Sequence, residues 1–166
     1  ARASTAGADV VEIRFDRLYL SKPAPVEVEQ EDGETKSVMA PESEWPINDV
    51  NSVEAETSIQ KLKESIGIPV IFTNRPPREG GYFPGTEDER IEVLDLAIAS
   101  KVTWIDLETS IEEAKLTALN ESAKKAGCKI IYSSHDINGT PDSEDIAAFV
   151  REKNAAADMV KFCSTA

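Results

Sequence analysis

Five short runs of apolar and β-branched residues alternate with amphipathic helical patterns along most of this chain of 166 residues. Each run is nearly continuous in apolar side chains, which is typical of strands covered on both faces in parallel sheets. The predicted strands cover residues 9–14, 68–73, 103–108, 129–134 and 158–163. Repeated strand–helix alternation predicts an α/β fold with right-handed crossovers. The pattern leaves a doubly wound sheet and a barrel open, although the absence of a glycine-rich phosphate-binding motif after any predicted strand argues against a nucleotide-binding doubly wound domain.

Four helices are predicted between these strands, over residues 53–66, 87–100, 111–126 and 142–156. Thr86 is the expected N-cap of the second helix, because acidic residues fill the first turn that follows it. Gly127 is expected to end the third. The fourth is expected to bury three apolar side chains, Ile146, Phe149 and Val150.

Residues 21–51 interrupt the alternation. This stretch contains eight acidic residues, two lysines and four prolines, and it lacks a sustained hydrophobic period. It is predicted to be an extended or mobile surface loop, inserted into a single domain over residues 1–166.

Composition excludes several classes of function. The 31 acidic against 18 basic residues give a net charge of −13, which repels nucleic-acid backbones and anionic membranes. No apolar run approaches the roughly 20 residues that span a bilayer. One histidine and no zinc-type spacing of cysteines exclude a His-rich metal site. Cys128 and Cys163 are expected to be buried free thiols, which favours a reducing, cytoplasmic location.

Ionisable residues occur at the end of every predicted strand. Because parallel α/β folds gather their sites at the carboxyl ends of strands and an unpaired buried charge is costly, we expect these groups to pair with one another or to share a polar pocket. Lys161 lies inside the apolar run Met159-Val160-Lys161-Phe162-Cys163. Desolvation and neighbouring cations would favour the neutral amine, which can form a Schiff base. His135 could then move protons beside the imine.

The other charged residues suggest how a substrate would be held. Arg14 and Arg75 suit a carboxylate or polyhydroxyl substrate, because guanidinium groups form bidentate contacts. Glu12 could accept hydrogen bonds from substrate hydroxyls or from Arg14, and Glu79 could orient His135. Asp106 is expected to brace basic neighbours, and Gly80-Gly81 permits a sharp turn or a close backbone approach.

Five segments, in this order, resemble type I 3-dehydroquinate dehydratase: GADVVEIRFDRL, PVIFTNRPPREGG, WIDLE, IIYSSHDINGTP and ADMVKF. The resemblance covers nearly all of the chain outside residues 21–51. It implies a (β/α)8 barrel that dehydrates 3-dehydroquinate to 3-dehydroshikimate through a lysine imine, without a metal, so no cofactor is expected. Members of the family are often homodimers or are fused to other shikimate-pathway domains.

The resemblance also implies roles for individual residues. Lys161 falls on the Schiff-base lysine, and His135 on the general acid/base, 26 residues before it. Glu79 falls on the carboxylate that pairs with this histidine. The substrate-binding positions of the family are matched by Glu12, Arg14 and Arg75.

Five strands are fewer than the eight of a complete barrel. By the family pattern the chain corresponds to strands two to six, and it begins with Ala1 instead of Met. We therefore expect a partial barrel from a longer protein, which could be inactive alone. Two alternatives stay open: another class I Schiff-base enzyme such as an aldolase, and a non-catalytic remnant or interaction module.

Overall fold

The computed structural model describes residues 2–30 and 33–165, which form seven strands, five α-helices and four short 3₁₀ turns. The strands are β1 (Val11–Arg14), β2 (Val26–Glu29), β3 (Thr35–Val38), β4 (Val70–Thr73), β5 (Trp104–Glu108), β6 (Lys129–Asp136) and β7 (Met159–Ser164). The α-helices are α1 (Arg2–Thr5), α2 (Ala55–Ser65), α3 (Glu87–Ala99), α4 (Glu113–Ala126) and α5 (Ser143–Lys153). The 3₁₀ turns are Phe15–Tyr19, Glu42–Glu44, Val50–Ser52 and Pro77–Glu79.

Five strands form one parallel sheet in the order β1-β4-β5-β6-β7. Each crossover moves the chain one strand further in the same direction. A doubly wound sheet would instead reverse direction at a switch point. The sheet is therefore an open arc of a (β/α) barrel, which confirms the predicted α/β fold and resolves the choice that the sequence pattern leaves open.

Side chains alternate between the two faces of this arc. The face toward the helices carries the hydrophobic core, in which Phe72, Ile105, Leu107 and Ile130 are almost fully buried. The opposite face, which is the inside of the barrel, carries polar side chains on successive strands. They are Glu12, Thr73, Asp106, Ser133 and Lys161.

Both ends of the arc are edge strands. The expectation that β7 is buried on both faces is wrong, because Met159 is 46% exposed and the strand pairs only with β6 in this sheet. Helix α5 packs mainly against β7. The rings of Phe149 and Phe162 meet edge to face, with their centroids 5.5 Å apart. Of the three α5 side chains predicted to be buried, Val150 is exposed and Ile146 and Phe149 are only half-buried, since α5 is the last helix of the arc.

The helix ends follow the predicted signals. The Thr86 hydroxyl accepts a hydrogen bond from the Glu89 backbone N–H, and the Glu89 carboxylate accepts one from the Thr86 N–H, which is a capping box. Gly127 ends α4 in the left-handed region, at φ +79°. None of the described helices is long and apolar enough to cross a membrane.

Residues 21–51 contain a β-hairpin that the loop prediction missed. Strands β2 and β3 pair antiparallel, with Val26 opposite Val38, and every residue of both strands is exposed. The alternation of valine and glutamate in β2 is the signal that identifies it in retrospect. Between the strands, Glu31 and Asp32 lie outside the described residues.

Candidate active site

A cavity of about 290 Å³ opens at the carboxyl ends of the sheet strands. All six residues proposed from sequence line it: Glu12, Arg14, Arg75, Glu79, His135 and Lys161. The strand topology explains this convergence, because the carboxyl ends of parallel strands meet at one edge of the sheet. Cys163 also lines the cavity and is only half-buried, so the prediction that both cysteines are buried holds for Cys128 alone.

Lys161 extends from the middle of β7 into this cavity. Its amine nitrogen Nζ lies 3.5 Å from Oε1 of Glu12 and 3.6 Å from Oδ2 of Asp106. Arg75, one of the cations expected near Lys161, shares these two carboxylates with it, since Nη2 of Arg75 lies 3.9 Å from the Glu12 oxygen and 2.9 Å from the Asp106 oxygen. With a side chain 32% exposed, Lys161 is paired and still accessible from solvent.

Asp106 is the fully buried hub of the inner face. Its Oδ2 accepts a hydrogen bond from Nη2 of Arg75 at 2.9 Å, and its Oδ1 accepts one from the hydroxyl of Ser133. The Thr73 hydroxyl, whose proton goes to Glu12 at the shorter distance of 2.8 Å, also lies 3.3 Å from Oδ2 of Asp106. The predicted bracing role is thus seen in the geometry. The sequence interpretation missed Thr73 and Ser133, although both are polar residues within apolar strands, on the inner face.

His135 is held by two groups of opposite charge. Its Nδ1 lies 3.1 Å from Oε2 of Glu79, which also accepts the His135 backbone N–H at 3.0 Å. Nη1 of Arg75 contacts both ring nitrogens, Nδ1 at 2.5 Å and Nε2. Burial raises the pKa of Glu79, but hydrogen bonds from His135 and Ser110 outweigh burial and hold that pKa below its ordinary value. Glu79 is therefore an ionised acceptor for the imidazole.

Glu12 faces the cavity beside Lys161. Its Oε1 accepts a hydrogen bond from the Thr73 hydroxyl at 2.8 Å and lies 3.9 Å from Nη2 of Arg75. Burial raises the pKa of Glu12, whereas the Thr73 hydrogen bond and the charges of Lys161 and Arg75 lower it, with a net lowering. Glu12 is thus an ionised acceptor at the cavity wall.

Arg14 is fixed by a buried carboxylate instead of by Glu12, which was the alternative raised from sequence. Nε and Nη2 of Arg14 donate to the two oxygens of Asp16 at 2.9 and 2.7 Å, a bidentate pair. Asp16 also accepts the backbone N–H of Tyr82 at 3.1 Å. This carboxylate therefore ties the end of β1 to the turn that follows β4.

That turn depends on two glycines. Gly80 has φ +73°, a left-handed conformation that favours glycine. At Gly81 a Cβ atom would lie 2.1 Å from the carbonyl oxygen of Arg75, far inside contact distance. The predicted close backbone approach is confirmed, and it lies directly beside a cavity residue.

We expect Gly81→Ala to destabilise the chain by about 1–3 kcal/mol and to displace Arg75, because the added methyl group meets rigid backbone. Urea unfolding measures the first effect. The matched control is Gly139→Ala, where a Cβ atom meets nothing within 4 Å. Equal unfolding free energies for the two variants would contradict the close approach.

A network of charged residues extends outward from the site. Arg90 donates to Glu87 at 2.7 and 3.1 Å, to Glu108 at 2.7 Å and to the Asn74 carbonyl at 3.1 Å. Arg78 donates to Glu87 at 2.9 and 3.2 Å. Burial raises the pKa of Glu87, but the hydrogen bonds and charges of Arg90 and Arg78 outweigh burial and lower that pKa to about 2. The network locks the start of α3 onto the strand ends.

The low pKa of Glu87 predicts an acid-dependent loss of stability. Its carboxylate binds fewer protons in the folded chain than in the unfolded chain, so its contribution is complete above about pH 4.5 and is lost as pH falls toward 2. One such group contributes a slope of at most about 1.4 kcal/mol per pH unit. Urea unfolding between pH 7 and pH 2.5 should show a shallower decline for Glu87→Gln than for the unsubstituted chain.

The control for this pH series is Glu113→Gln. Glu113 is exposed and is the first residue of α4, as Glu87 is of α3, so both carboxylates experience a comparable helix N-terminus. An equally shallow decline for Glu113→Gln would refute the assignment to the arginine pairs.

Comparison with known proteins fits this arrangement. The sequence profile of the type I 3-dehydroquinase family matches residues 1–166. The chain belongs to the type I 3-dehydroquinase family. Its relatives include the 3-dehydroquinate dehydratase of Methanothermobacter thermautotrophicus, 34% identical over 96% of this chain and 55% of that protein. The bifunctional 3-dehydroquinate dehydratase/shikimate dehydrogenase of Arabidopsis thaliana is 32% identical over all of this chain and 22% of its own length.

Solved structures show the same fold for this type I 3-dehydroquinase chain. The 3-dehydroquinate dehydratase of Enterococcus faecalis superposes with a TM-score of 0.73 over 98% of this chain and 57% of that one, at 23% identity. The type I enzyme of Clostridium difficile gives 0.69 over 95% and 52%, also at 23% identity. The chain spans about half the length of the single-function dehydratases that it matches. Its five strands are therefore a partial form of the family's barrel.

Proposed function

We propose that this chain carries the imine-forming site of a 3-dehydroquinate dehydratase, within a single partial-barrel domain into which residues 21–51 are inserted. One observation supports the proposal above all. A lysine amine, a carboxylate-oriented imidazole and two arginines line one cavity of about 290 Å³, at the positions where the family resemblance places them. Such a cavity can admit a small, anionic, polyhydroxylated ketone.

Lys161 is the proposed nucleophile. Its amine attacks the substrate ketone carbon, and loss of the ketone oxygen as water leaves a protonated imine that withdraws electrons from the adjacent carbon. The proton that the ammonium must first release has acceptors close by, since Glu12 and Asp106 lie 3.5 and 3.6 Å from Nζ. The carboxylates that pair with the resting lysine can therefore prepare it for attack.

His135 is the proposed general acid/base. Because ionised Glu79 can only accept, the imidazole donates from Nδ1 and keeps the Nε2 lone pair for the substrate. Nε2 removes the proton next to the imine, and the imidazolium so formed protonates the β-hydroxyl, which leaves as water. Hydrolysis of the product imine then frees Lys161. The water added in this hydrolysis replaces the one released on imine formation, so one water is lost overall.

Substrate recognition is assigned to Glu12, Arg14 and Arg75. Asp16 holds Arg14 with its remaining guanidinium edge available to a carboxylate or hydroxyl. Arg75 contacts Nε2 of His135 in the free chain, so we propose that binding of an anionic substrate draws Arg75 away and exposes the base. Glu12 would accept a substrate hydroxyl.

We extend the proposal to the setting of the enzyme. The free thiols of Cys128 and Cys163 support a reducing, cytoplasmic location. The charge of −13 supports a small-molecule substrate over nucleic acid or membranes. A homodimer stays a prediction from the family resemblance.

The test is borohydride trapping with 3-dehydroquinate, followed by peptide mass analysis, on this chain and on a chain completed by the rest of a barrel. We expect a substrate-sized adduct on Lys161 and dehydration by the completed chain. A folded, completed chain that neither traps nor dehydrates the substrate would reject the proposed function and favour a non-catalytic role.

A further inference from the structure

Both oxygens of Glu79 are engaged, each on a different side. Oε2 faces His135, accepting its backbone N–H at 3.0 Å and contacting its Nδ1 at 3.1 Å. Oε1 accepts a hydrogen bond from the hydroxyl of Ser110, which follows β5. The carboxylate thus has one oxygen for the imidazole and one for the serine. Rotation of the carboxylate would have to break both interactions together.

The direction of the Ser110 hydrogen bond is fixed by its neighbour. Nε of Arg78 donates to the Ser110 oxygen at 3.1 Å. A hydroxyl has a single proton, and a guanidinium cannot accept it, so the Ser110 proton points to Glu79. Arg78 is in turn held by two hydrogen bonds to Glu87, at 2.9 and 3.2 Å. The order Glu87, Arg78, Ser110, Glu79, His135 is a continuous polar chain that ends on the imidazole.

We propose that Ser110 is a positioning residue for His135, acting through Glu79, and that Arg78 orients Ser110 for this role. The sequence interpretation assigned neither residue a function. The structural part of the proposal concerns the free chain and stands alone. Its catalytic consequence rests on the proposed dehydratase function.

Glu79 affects the imidazole in two ways that Ser110 supports. An ionised carboxylate fixed beside Nδ1 favours the proton on that nitrogen, so that Nε2 can accept a proton once substrate has displaced Arg75. Arg75, whose Nη1 contacts both ring nitrogens, is the other charged group that faces the ring, and it is the same in all the variants compared below. Without Ser110, the carboxylate would be less restrained in rotation, and the raising effect of burial on the Glu79 pKa would be less opposed. Both changes would reduce the share of imidazole that carries its neutral-state proton on Nδ1.

The first test measures the histidine tautomer directly. His135 is the only histidine of the chain, so a ¹⁵N–¹H long-range correlation spectrum of the ¹⁵N-labelled full chain contains one imidazole. Near pH 8 we expect Ser110→Ala to lower the ratio of Nδ1–H to Nε2–H tautomer by about threefold to tenfold, the range of an ordinary hydrogen bond's net contribution. An unchanged ratio in the folded variant would overturn the proposal.

Two further variants separate positioning from general disturbance. Ser110→Thr keeps the hydroxyl at an exposed position with room for a methyl group, so we expect it to restore the tautomer ratio. Arg78→Gln should shift the ratio in the same direction as Ser110→Ala. The double variant should match Ser110→Ala alone, because both residues act through one contact. A threonine that behaves like alanine, or additive effects in the double variant, would contradict the relay.

Kinetics of the completed enzyme test the catalytic consequence. We expect Ser110→Ala to lower kcat about tenfold with little change in KM, because the imidazole is less well oriented for proton transfer while substrate contacts are unchanged. An equal loss of kcat in Ser110→Thr, which keeps the hydroxyl, would count against positioning through Glu79. A tautomer shift in a chain that never dehydrates 3-dehydroquinate would uphold the relay while rejecting the dehydratase function.

Discussion

Lys161→Arg is expected to abolish borohydride trapping of 3-dehydroquinate and to lower dehydration by at least about 10⁴-fold, the scale of losing a catalytic nucleophile. Arginine retains a positive charge for Glu12 and Asp106, which lie within ion-pair distance of Lys161. It has no amine that can form an imine with a ketone. The variant therefore removes the chemistry and preserves the charge balance of the cavity.

The control for this substitution is Lys129→Arg. Lys129 is at the amino end of β6, where its amine lies 4.9 Å from the ring centre of Trp104, and it does not line the cavity. Its replacement should leave trapping and dehydration unchanged within about twofold. A substrate adduct that persists in folded Lys161→Arg would show that another amine is the nucleophile.

Arg90→Ala is expected to cost about 3–5 kcal/mol of unfolding free energy, since it leaves a buried carboxylate without its partner. Arg90 is 1% exposed, and its guanidinium group donates to Glu87, to Glu108 and to the backbone carbonyl of Asn74. Urea unfolding measures the loss. The control, Arg151→Ala, removes an exposed arginine from α5 and should change stability by less than about 0.5 kcal/mol.

The cost of Arg90→Ala should also depend on pH. Burial raises the pKa of Glu108 to about 7 even though Arg90 lowers it, so removing Arg90 raises that pKa further. At pH 5 Glu108 is mainly protonated in both folded chains. At pH 8 only the unsubstituted chain has a paired carboxylate, so the stability deficit should grow from pH 5 to pH 8. A deficit independent of pH, or one below about 1 kcal/mol, would contradict this account of the buried pair.

The sequence sufficed for features that depend on local pattern and on chain topology. Strands β4 to β7 begin within two residues of their predicted starts, because apolar runs bounded by helix signals define them. Lys161 and His135 could be expected in one cavity because both lie near the carboxyl ends of parallel strands. Strand direction alone was enough to predict that these two side chains lie on the same side of the sheet edge.

Features that depend on which side chains contact each other could not be predicted from the sequence. The pairing of Lys161 with Asp106 depends on the register of β5 and β7 and on the curvature of the sheet, and these strands are distant in sequence. The Ser110 contact to Glu79 joins two loops, and a serine after a strand is too common to signal a role. The exposure of Val150 follows from the position of α5 at the edge of the arc, which hydrophobic periodicity does not encode.

The hairpin of β2 and β3 is a suitable place to attach a label to the protein. Its main contacts among the described elements are between its own two strands, and Gly33 adopts φ +81° at the turn between them. Exposed turns of this kind tolerate inserted sequence. A fluorescent peptide tag or an immobilisation handle spliced in at this turn should leave the sheet intact, and the hairpin follows the same strand that carries Glu12 and Arg14. Because no residue of β2 or β3 lines the cavity, a label attached there should leave substrate binding undisturbed.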